Sequence, residues 1–435
     1  MAVWSQLPDD LLSFIGMKLD ILADRCRFRS VCKSWRCCLP PFAQPPLLML
    51  SLEQQPPPES TEEYDEKYEY EGDDDDDEEE KEKNKKEDNS DGNPPLPLRG
   101  FVGIGGANEH DVVYKIELPE AHLRRCVGST GNWIITIDKS GLIYLLNPFS
   151  RVQINLPRQS KFEYKFIKGS YVTPEIRRDS FTKKIILSSA GSSESNSGSI
   201  NKKKCIAMAI HHWKQKLAIA RPDDASWTTV HTPGTTSFVD IIFYKEHFYA
   251  VSFFGMIVVC DIDVTNDDPL HKTTPKASVV TENWLKLNCY KKIYLVEWMG
   301  ELLLVIKFVE DLRKTKTEED RRRKILPFYK TEKFELYKLD FANKKWEEVN
   351  NLEEYCLFLG DNTSVSIFAN DYSLKKNCIY FTDDFTHGYR GTKTPGGLDM
   401  GVFDLEDKSI QPHYKSISTC YYSPPIWIIP TSFVK

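Results

Sequence analysis

Apolar and polar positions change rhythm twice along the chain. Between residues 7 and 35 they recur at helical spacing. Leu11, Leu12, Ile15 and Leu19 form one stripe, and Phe28, Val31, Cys32 and Trp35 form a second. Pro8 stands at a first helical position, where a missing N–H costs nothing. Asp9 and Asp10 follow in the first turn, where they complement the helix dipole. Arg25, Arg27, Arg29, Lys33 and Arg36 occupy the other face of the second pattern, and Pro40 and Pro41 stop it. Two helices this short cannot make an independent core, so their apolar stripes need a partner, either the rest of the chain or another protein.

From about residue 99 the rhythm is that of short strands separated by turn residues. One unit recurs: an apolar strand, a turn with Asn, Asp or Arg, then a strand ending in a bulky residue and Leu or Val. It reads LIYLLNPFSRVQINLP over 142–157, KLAIARPDDASWTTV over 216–230 and FELYKLDFANKKWEEV over 334–349. It is weaker in MIVVCDIDV over 256–264 and MGVFDLEDKSI over 400–410. Trp227, Trp284 and Trp346 each open a W-x-x-V/L end and are expected in the core between repeats. Alternating strands such as FVDIIFYKEHFYAV and KIYLVEWMGELLLVI lie between the units. A hairpin repeated in this way predicts a mainly β fold, a propeller whose radial repetition protects sheet edges. At about 40–50 residues per blade the region holds about seven blades, or six if the loops are long. Leu47–Leu52 and Ile426–Ile429 are the candidate strands for one blade built from both chain ends.

Charge separates a third region. Residues 59–93 carry 19 Asp/Glu against 5 Lys/Arg, a local net of −14 within a chain of net −7. The other 400 residues therefore hold 45 acids and 52 bases, a net of +7. Over residues 53–98 no apolar periodicity survives, and such a segment cannot bury enough surface to offset its ordering entropy. It is expected to be a disordered acidic insertion. The short strand LLMLSL before it places it inside the second domain, which gives domains at 1–42 and 43–435.

Several classes are excluded. The start MAVWSQLPDD lacks a cationic n-region and an apolar h-region. The longest near-apolar stretch, Phe248–Cys260, falls short of the roughly 20 residues that span a bilayer, so no membrane partner is expected. Eleven cysteines include no CxxC pair. Cys26, Cys32, Cys37 and Cys38 crowd a helical pattern with no His at zinc spacing, which reads as reduced thiols of a nuclear or cytoplasmic protein.

The string LPDDLLSFIGMKLDILADRCRFRSVCKSWR closely resembles the F-box, a helical module that binds the Skp-type adaptor of cullin ubiquitin ligases. The matching positions are Leu7, Pro8, Leu11, Leu12, Ile15, Leu19, Asp24, Arg27, Val31, Cys32 and Trp35. The usual third helix is cut short here by Pro40 and Pro41. Further along, VGSTGNWIITID, YLLNPFSR, LGDNTSVSIFA, NCIYFTDDF, MGVFDLEDKSI and PPIWIIP resemble a plant F-box family. Its C-terminal domain is of unknown function and is likened to kelch-type propellers. The resemblance implies an F-box followed by a six- or seven-bladed kelch-like propeller. It also implies an adaptor contact through Leu7, Pro8, Leu11, Leu12, Ile15, Leu19, Val31, Cys32 and Trp35. The implied role is capture of an unidentified target protein for ubiquitination, the cullin being reached through the adaptor. A propeller scaffold acting outside a ligase is the alternative.

Catalytic chemistry finds no footing. Gly103-Ile104-Gly105-Gly106 lacks the third glycine and the helix of a dinucleotide fingerprint and reads as a turn. There is no GxxxxGK[ST], HExxH or GxSxG. His211-His212 and Asp383-Asp384 are adjacent strand residues, which point to opposite faces, so neither pair is a good clamp, and the aspartates are expected to cap a turn. No catalytic residue, metal or cofactor is expected. Arg321–Lys324 (RRRK) reads as a charged inter-strand loop, with a nuclear-import signal as the other reading. A net of +7 spread over 400 residues is too diffuse for a nucleic-acid footprint.

Overall fold

The computed structural model describes residues 7–18, 28, 31–32, 34–35, 38, 46–51, 98–103, 113–163, 173–188, 200–212, 214–234, 236–262, 275–285, 290–312, 329–372, 374–385, 397–413, 420 and 423–429. After one helix, α1 (Asp9–Met17), the described elements are almost all strands, and they form six sheets arranged as a propeller. Blade one holds β1 (Leu47–Ser51), β2 (Leu98–Gly103) and β3 (Val113–Glu117). Blade two holds β4 (Arg125–Thr130), β5 (Trp133–Ile137), β6 (Ile143–Leu146) and β7 (Gln153–Leu156). Blade three holds β8 (Thr182–Leu187), β9 (Ala207–His211), β10 (Lys216–Ala220) and β11 (Thr228–Thr229). Blade four holds β12 (Phe238–Tyr244), β13 (His247–Ser252), β14 (Ile257–Asp261) and β15 (Lys276–Thr281). Blade five holds β16 (Tyr290–Trp298), β17 (Glu301–Asp311), β18 (Tyr329–Asp340) and β19 (Lys345–Val349). Blade six holds β20 (Tyr355–Leu359), β21 (Val365–Phe368), β22 (Cys378–Phe381), β23 (Gly401–Asp404) and β24 (Ile410–Gln411). The last strand, β25 (Ile426–Ile428), returns to blade one and pairs with β1, giving the order β25-β1-β2-β3.

There are six blades, not seven. Blade five consumes extra chain in two long strands, β17 of 11 residues and β18 of 12. Blade six uses five strands: the chain leaves β20, passes through β21 on one side of it and returns as β22 on the other, so β20 and β22 run parallel. The repeating sequence unit is the outermost pair of strands of a blade, seen in β6–β7, β10–β11, β18–β19 and β23–β24.

The core lies between blades. One apolar cluster fills each of the six interfaces around the ring. This explains strands that are apolar at every position. In β1, Leu47 and Met49 face blade two, whereas Leu48 and Leu50 face blade six. A strand covered on both faces has no polar side to show. Trp227 packs between blades two and three, and Trp284 and Trp346 between four and five. Where β4 and β8 approach, Gly128 leaves no room for a side chain, since a Cβ there would stand 2.0 Å from the Ile185 carbonyl oxygen.

The innermost strands run in one direction. Cys126 N donates to Ser423 Oγ, and Ser129 Oγ to the Trp427 carbonyl, so β4 and β25 advance together. Buried Lys184 pairs with Asp240, whose other oxygen accepts from Leu295 N at 2.7 Å, and this aligns blades three, four and five. The face where innermost strands begin is here the upper face, and the face where they end is the lower one. β1 is antiparallel to β25, with Leu47 opposite Ile428, Leu48 opposite Trp427 and Met49 opposite Ile426. The chain therefore reaches blade one from the helical module at the lower face and leaves Ser51 at the upper face. Ser51 pairs with Arg99, so that face also holds Leu98, the first described residue after the acidic tract. The tract's expected disorder lies outside the described residues, and Leu98, expected within the insertion, opens β2.

Candidate functional site

Two assemblies of residues stand out, one on the helical module and one at the upper face. In the module, α1 starts after Pro8, with Asp9 and Asp10 in its first turn. Leu12 is fully buried against Phe28, with Leu7, Trp35 and Cys38 packed around them. The Phe28 and Trp35 rings lie 4.4 Å apart. Ser13 Oγ donates to the Cys38 carbonyl at 2.6 Å, and Ser34 Oγ to Asp9 Oδ1 at 3.3 Å, which ties the second helical pattern to α1. The outward face is apolar: Leu11 is 51% exposed, Phe14 58%, Ile15 37% and Val31 57%.

The residues singled out by sequence thus divide. Leu11, Ile15 and Val31 face outward with exposed Pro8, while Leu12, Leu7 and Trp35 belong to the module's own small core. Cys32 is half-buried, and Leu19 lies outside the described residues. Sequence reasoning passed over Phe14. Its signal was present, because Leu11, Phe14 and Ile15 stand at i, i+3 and i+4.

The upper face between blades five and six holds a buried network. Lys307 Nζ lies 3.2 Å from Asp384, 3.8 Å from Asp399 and 3.3 Å from the Thr382 carbonyl it donates to. Lys292 Nζ lies 3.1 Å from Asp361 and 3.4 Å from Asp384. Tyr294 donates to Asp384 at 2.8 Å, and Tyr329 to Asp383 at 2.7 Å. Asp383 also accepts from Gly397 N and Leu398 N at 2.8 and 3.1 Å. Asp399 accepts from Thr331 N at 2.9 Å and from its hydroxyl at 2.7 Å. The expectation that Asp383-Asp384 merely cap a turn needs correction. Asp383 does hold the bend at 397–399, but Asp384 is the shared anion of two lysines, and both carboxylates are wholly buried.

The neighbouring carboxylates are pushed apart. Burial raises Asp384, but Lys292 and Lys307 outweigh it and hold the group at about 2. Burial, with Asp399 adding to it, raises Asp383. For Lys292 and Lys307 burial favours the neutral amine, yet the surrounding aspartates win and both are raised. The chemistry is that of a closed ionic clasp between two blades.

The two histidines also part company. His211 ends β9, wholly buried and stacked on Phe162 at 4.2 Å. His212 opens the following turn with φ 67° and accepts from Lys214 N. Burial, with His212 and Lys216 nearby, lowers His211 from 6.5 to about 3. His413, whose Nε2 lies 3.0 Å from the Phe381 carbonyl oxygen, is lowered by burial to about 4. Between those values and 6.5 the unfolded chain binds more protons than the folded one, so stability falls as pH drops below 6.5. Each pH unit costs up to about 1.4 kcal/mol per histidine. The melting midpoint is expected to fall between pH 7 and pH 5. His211→Phe, which keeps a ring against Phe162, should remove part of that fall, and an equal fall in the variant would assign the effect to other groups.

Fold and surface together define the class: an F-box module with an outward apolar patch, followed by a six-bladed β-propeller. The F-box domain model matches residues 4–39. The KIB1-4 beta-propeller model matches residues 104–404, more than half of the chain, and the chain belongs to that family. The propeller is thus of the KIB1-4 kind, and the kelch likeness is not carried by the match. F-box protein SKIP23 of Arabidopsis thaliana is 24% identical over 459 residues, covering 98% of this chain and 96% of the relative. F-box protein At2g05970 of the same plant is 23% identical over 445 residues, covering 99% and 97%. Among solved structures, YCF48 from Cyanidioschyzon merolae aligns with 58% of this chain and 66% of its own at 12% identity and a TM-score of 0.28.

Proposed function

We propose that this chain is the substrate-recognition subunit of a Skp–cullin–F-box ubiquitin ligase in the nucleus or cytoplasm. The observation that carries the reading is the outward patch of Leu11, Phe14, Ile15 and Val31, which the module's own core of Leu12, Phe28 and Trp35 leaves uncovered. Large aliphatic and aromatic side chains at the centre of a patch are where binding energy concentrates. The adaptor covers this patch, the cullin is reached through the adaptor, and ubiquitin transfer is performed by other subunits. The target docks on the propeller's upper face. That face lies opposite the point where the helical module joins blade one, and the connections over 52–97, 313–328 and 386–396 leave from it. Loops held on a rigid scaffold are where binding residues concentrate.

Leu11→Asp with Ile15→Asp is expected to abolish pull-down of a Skp-type adaptor while the propeller melts unchanged, since both side chains are exposed. Trp35→Ala should also lose the adaptor, but by loosening the module, with a loss of helical signal. Undiminished capture by the Leu11/Ile15 variant would sink the reading. Cullin in the captured complex would separate a ligase subunit from a scaffold.

A further inference from the structure

A second apolar patch lies on the propeller's lower face, where blades four and five meet. Three hairpin turns build it. The innermost strands β12 and β16 end at Tyr244 and Trp298, so the turns that follow them stand on that face. Blade five runs in the order β16-β17-β18-β19, each strand antiparallel to the next, so the β18–β19 turn stands on the same face beside the β16–β17 turn. Tyr244 joins all three. Its hydroxyl donates to the Gly300 carbonyl at 2.7 Å, and its ring lies 6.2 Å from that of Phe341. Tyr249 meets Phe341 edge-on at 6.0 Å. Above this floor stand Met299, 52% exposed, and Phe341, 37% exposed. Methionine and aromatic residues are what the centres of protein–protein interfaces favour.

The turns are held in shape before anything binds. Lys245 and Glu246, at φ 46° and 62°, and Met299 and Gly300, at φ 52° and 77°, form two-residue turns whose twist matches that of their strands. In the third turn Asp340 accepts from Ala342 N at 2.9 Å and from Asn343 N at 3.1 Å.

Charge is laid out along the patch. Exposed Glu297 and Glu301 flank the Met299 turn on the two inner strands of blade five. Lys245 of blade four lies over the Tyr244 ring at 4.9 Å, within electrostatic reach of both, with Glu246 exposed beside it. Exposed Lys344 and Lys345 close the Phe341 turn on the two outer strands, and Asp340, opposite Lys345, is occupied in capping that turn. The inner end therefore sets three acids against one lysine, and the outer end two lysines against one acid. A two-fold axis through the patch places each end against its opposite in a second copy, the self-complementarity that an isologous contact requires.

We propose that two copies of this chain pair through these turns, Met299 of each seated on Phe341 of the other, with Glu297 and Glu301 facing Lys344 and Lys345. Pairing through the lower faces leaves both upper faces open. The contact is reversible, since turn tips alone fall at the low end of interface area. The proposal concerns this chain alone and stands or falls independently of the ligase reading.

Sedimentation of the full chain over a concentration series up to about 100 µM tests it, a range in which a contact of micromolar affinity is mostly formed. A monomer–dimer equilibrium is expected. Met299→Asn should weaken it roughly tenfold or more. Its melting midpoint should stay unchanged, because the side chain is half exposed and Asn suits the positive φ. Glu297→Lys with Glu301→Lys should be monomeric, as should Lys344→Glu with Lys345→Glu. An equal mixture of those two variants should regain the dimer, because each end again meets its opposite. Leu11→Asp with Ile15→Asp should still dimerise. A monomeric unaltered chain would leave the patch to a different partner and overturn the proposal. Loss of the dimer in the Leu11/Ile15 variant, or no recovery on mixing, would overturn it too.

Discussion

Truncation after Pro424 is expected to leave a chain that cannot close its ring and that aggregates. The removed strand, β25, is the innermost strand of blade one, and Ile426, Trp427 and Ile428 are all fully buried. Ile426 and Ile428 fill the interface with blade two, and Trp427 that with blade six. Without them β1 presents an unpaired apolar edge, a template for pairing with other chains. A milder version isolates the side chain. Trp427 lies edge-on to Phe358 at 4.9 Å and donates Nε1–H to the Leu359 carbonyl at 3.0 Å. Trp427→Ala removes the ring and one of the two hydrogen bonds that the Leu359 carbonyl accepts, the other coming from Thr382 N, at a cost of about 3–5 kcal/mol. Size-exclusion chromatography and thermal melting read both variants. A monomeric truncated chain with native melting would place closure elsewhere.

Lys307→Met should be the most damaging single change of charge in the propeller. Lys307 is wholly buried, and it holds Asp384 at 3.2 Å with Asp399 at 3.8 Å. Removing it leaves carboxylates without their central cation, and breaking a buried pair from one side costs about 3–5 kcal/mol. Urea denaturation of Lys307→Met, Asp384→Leu and the double variant separates pairing from packing. The double variant is expected to recover much of the loss, because replacing both charges removes the desolvation penalty along with the attraction. Additive losses would show that the lysine and aspartate act independently.

The pH dependence follows from groups that differ in kind. His211 and His413 act below pH 6.5, whereas Asp384, held at about 2, keeps its charge until far stronger acid. The ionic clasp between blades five and six therefore outlasts the histidine effect as pH falls.

Sequence by itself determined the local content of this protein. The helical stripes, the paired outermost strands and the two closing strands are all set by residue period and turn chemistry, which act over a few neighbours. Leu47–Leu52 and Ile426–Ile429 are legible as strands because a nearly unbroken apolar run this short reads as a strand covered on both faces, and the strands observed are Leu47–Ser51 and Ile426–Ile428. Tertiary structure decided the rest. Leu11 and Leu12 look alike in the sequence, yet one is 51% exposed and the other fully buried, because only packing against Phe28 and Trp35 tells the two sides of α1 apart. Asp383 and Asp384 sit beside each other, but their partners Tyr329 and Lys307 are 54 and 77 residues away. Ser129 meets Trp427 across 298 residues. The number of blades and the face from which the acidic tract departs have the same origin. Ring closure fixes contacts between residues far apart in the chain, and no local pattern records which distant strand will become a neighbour.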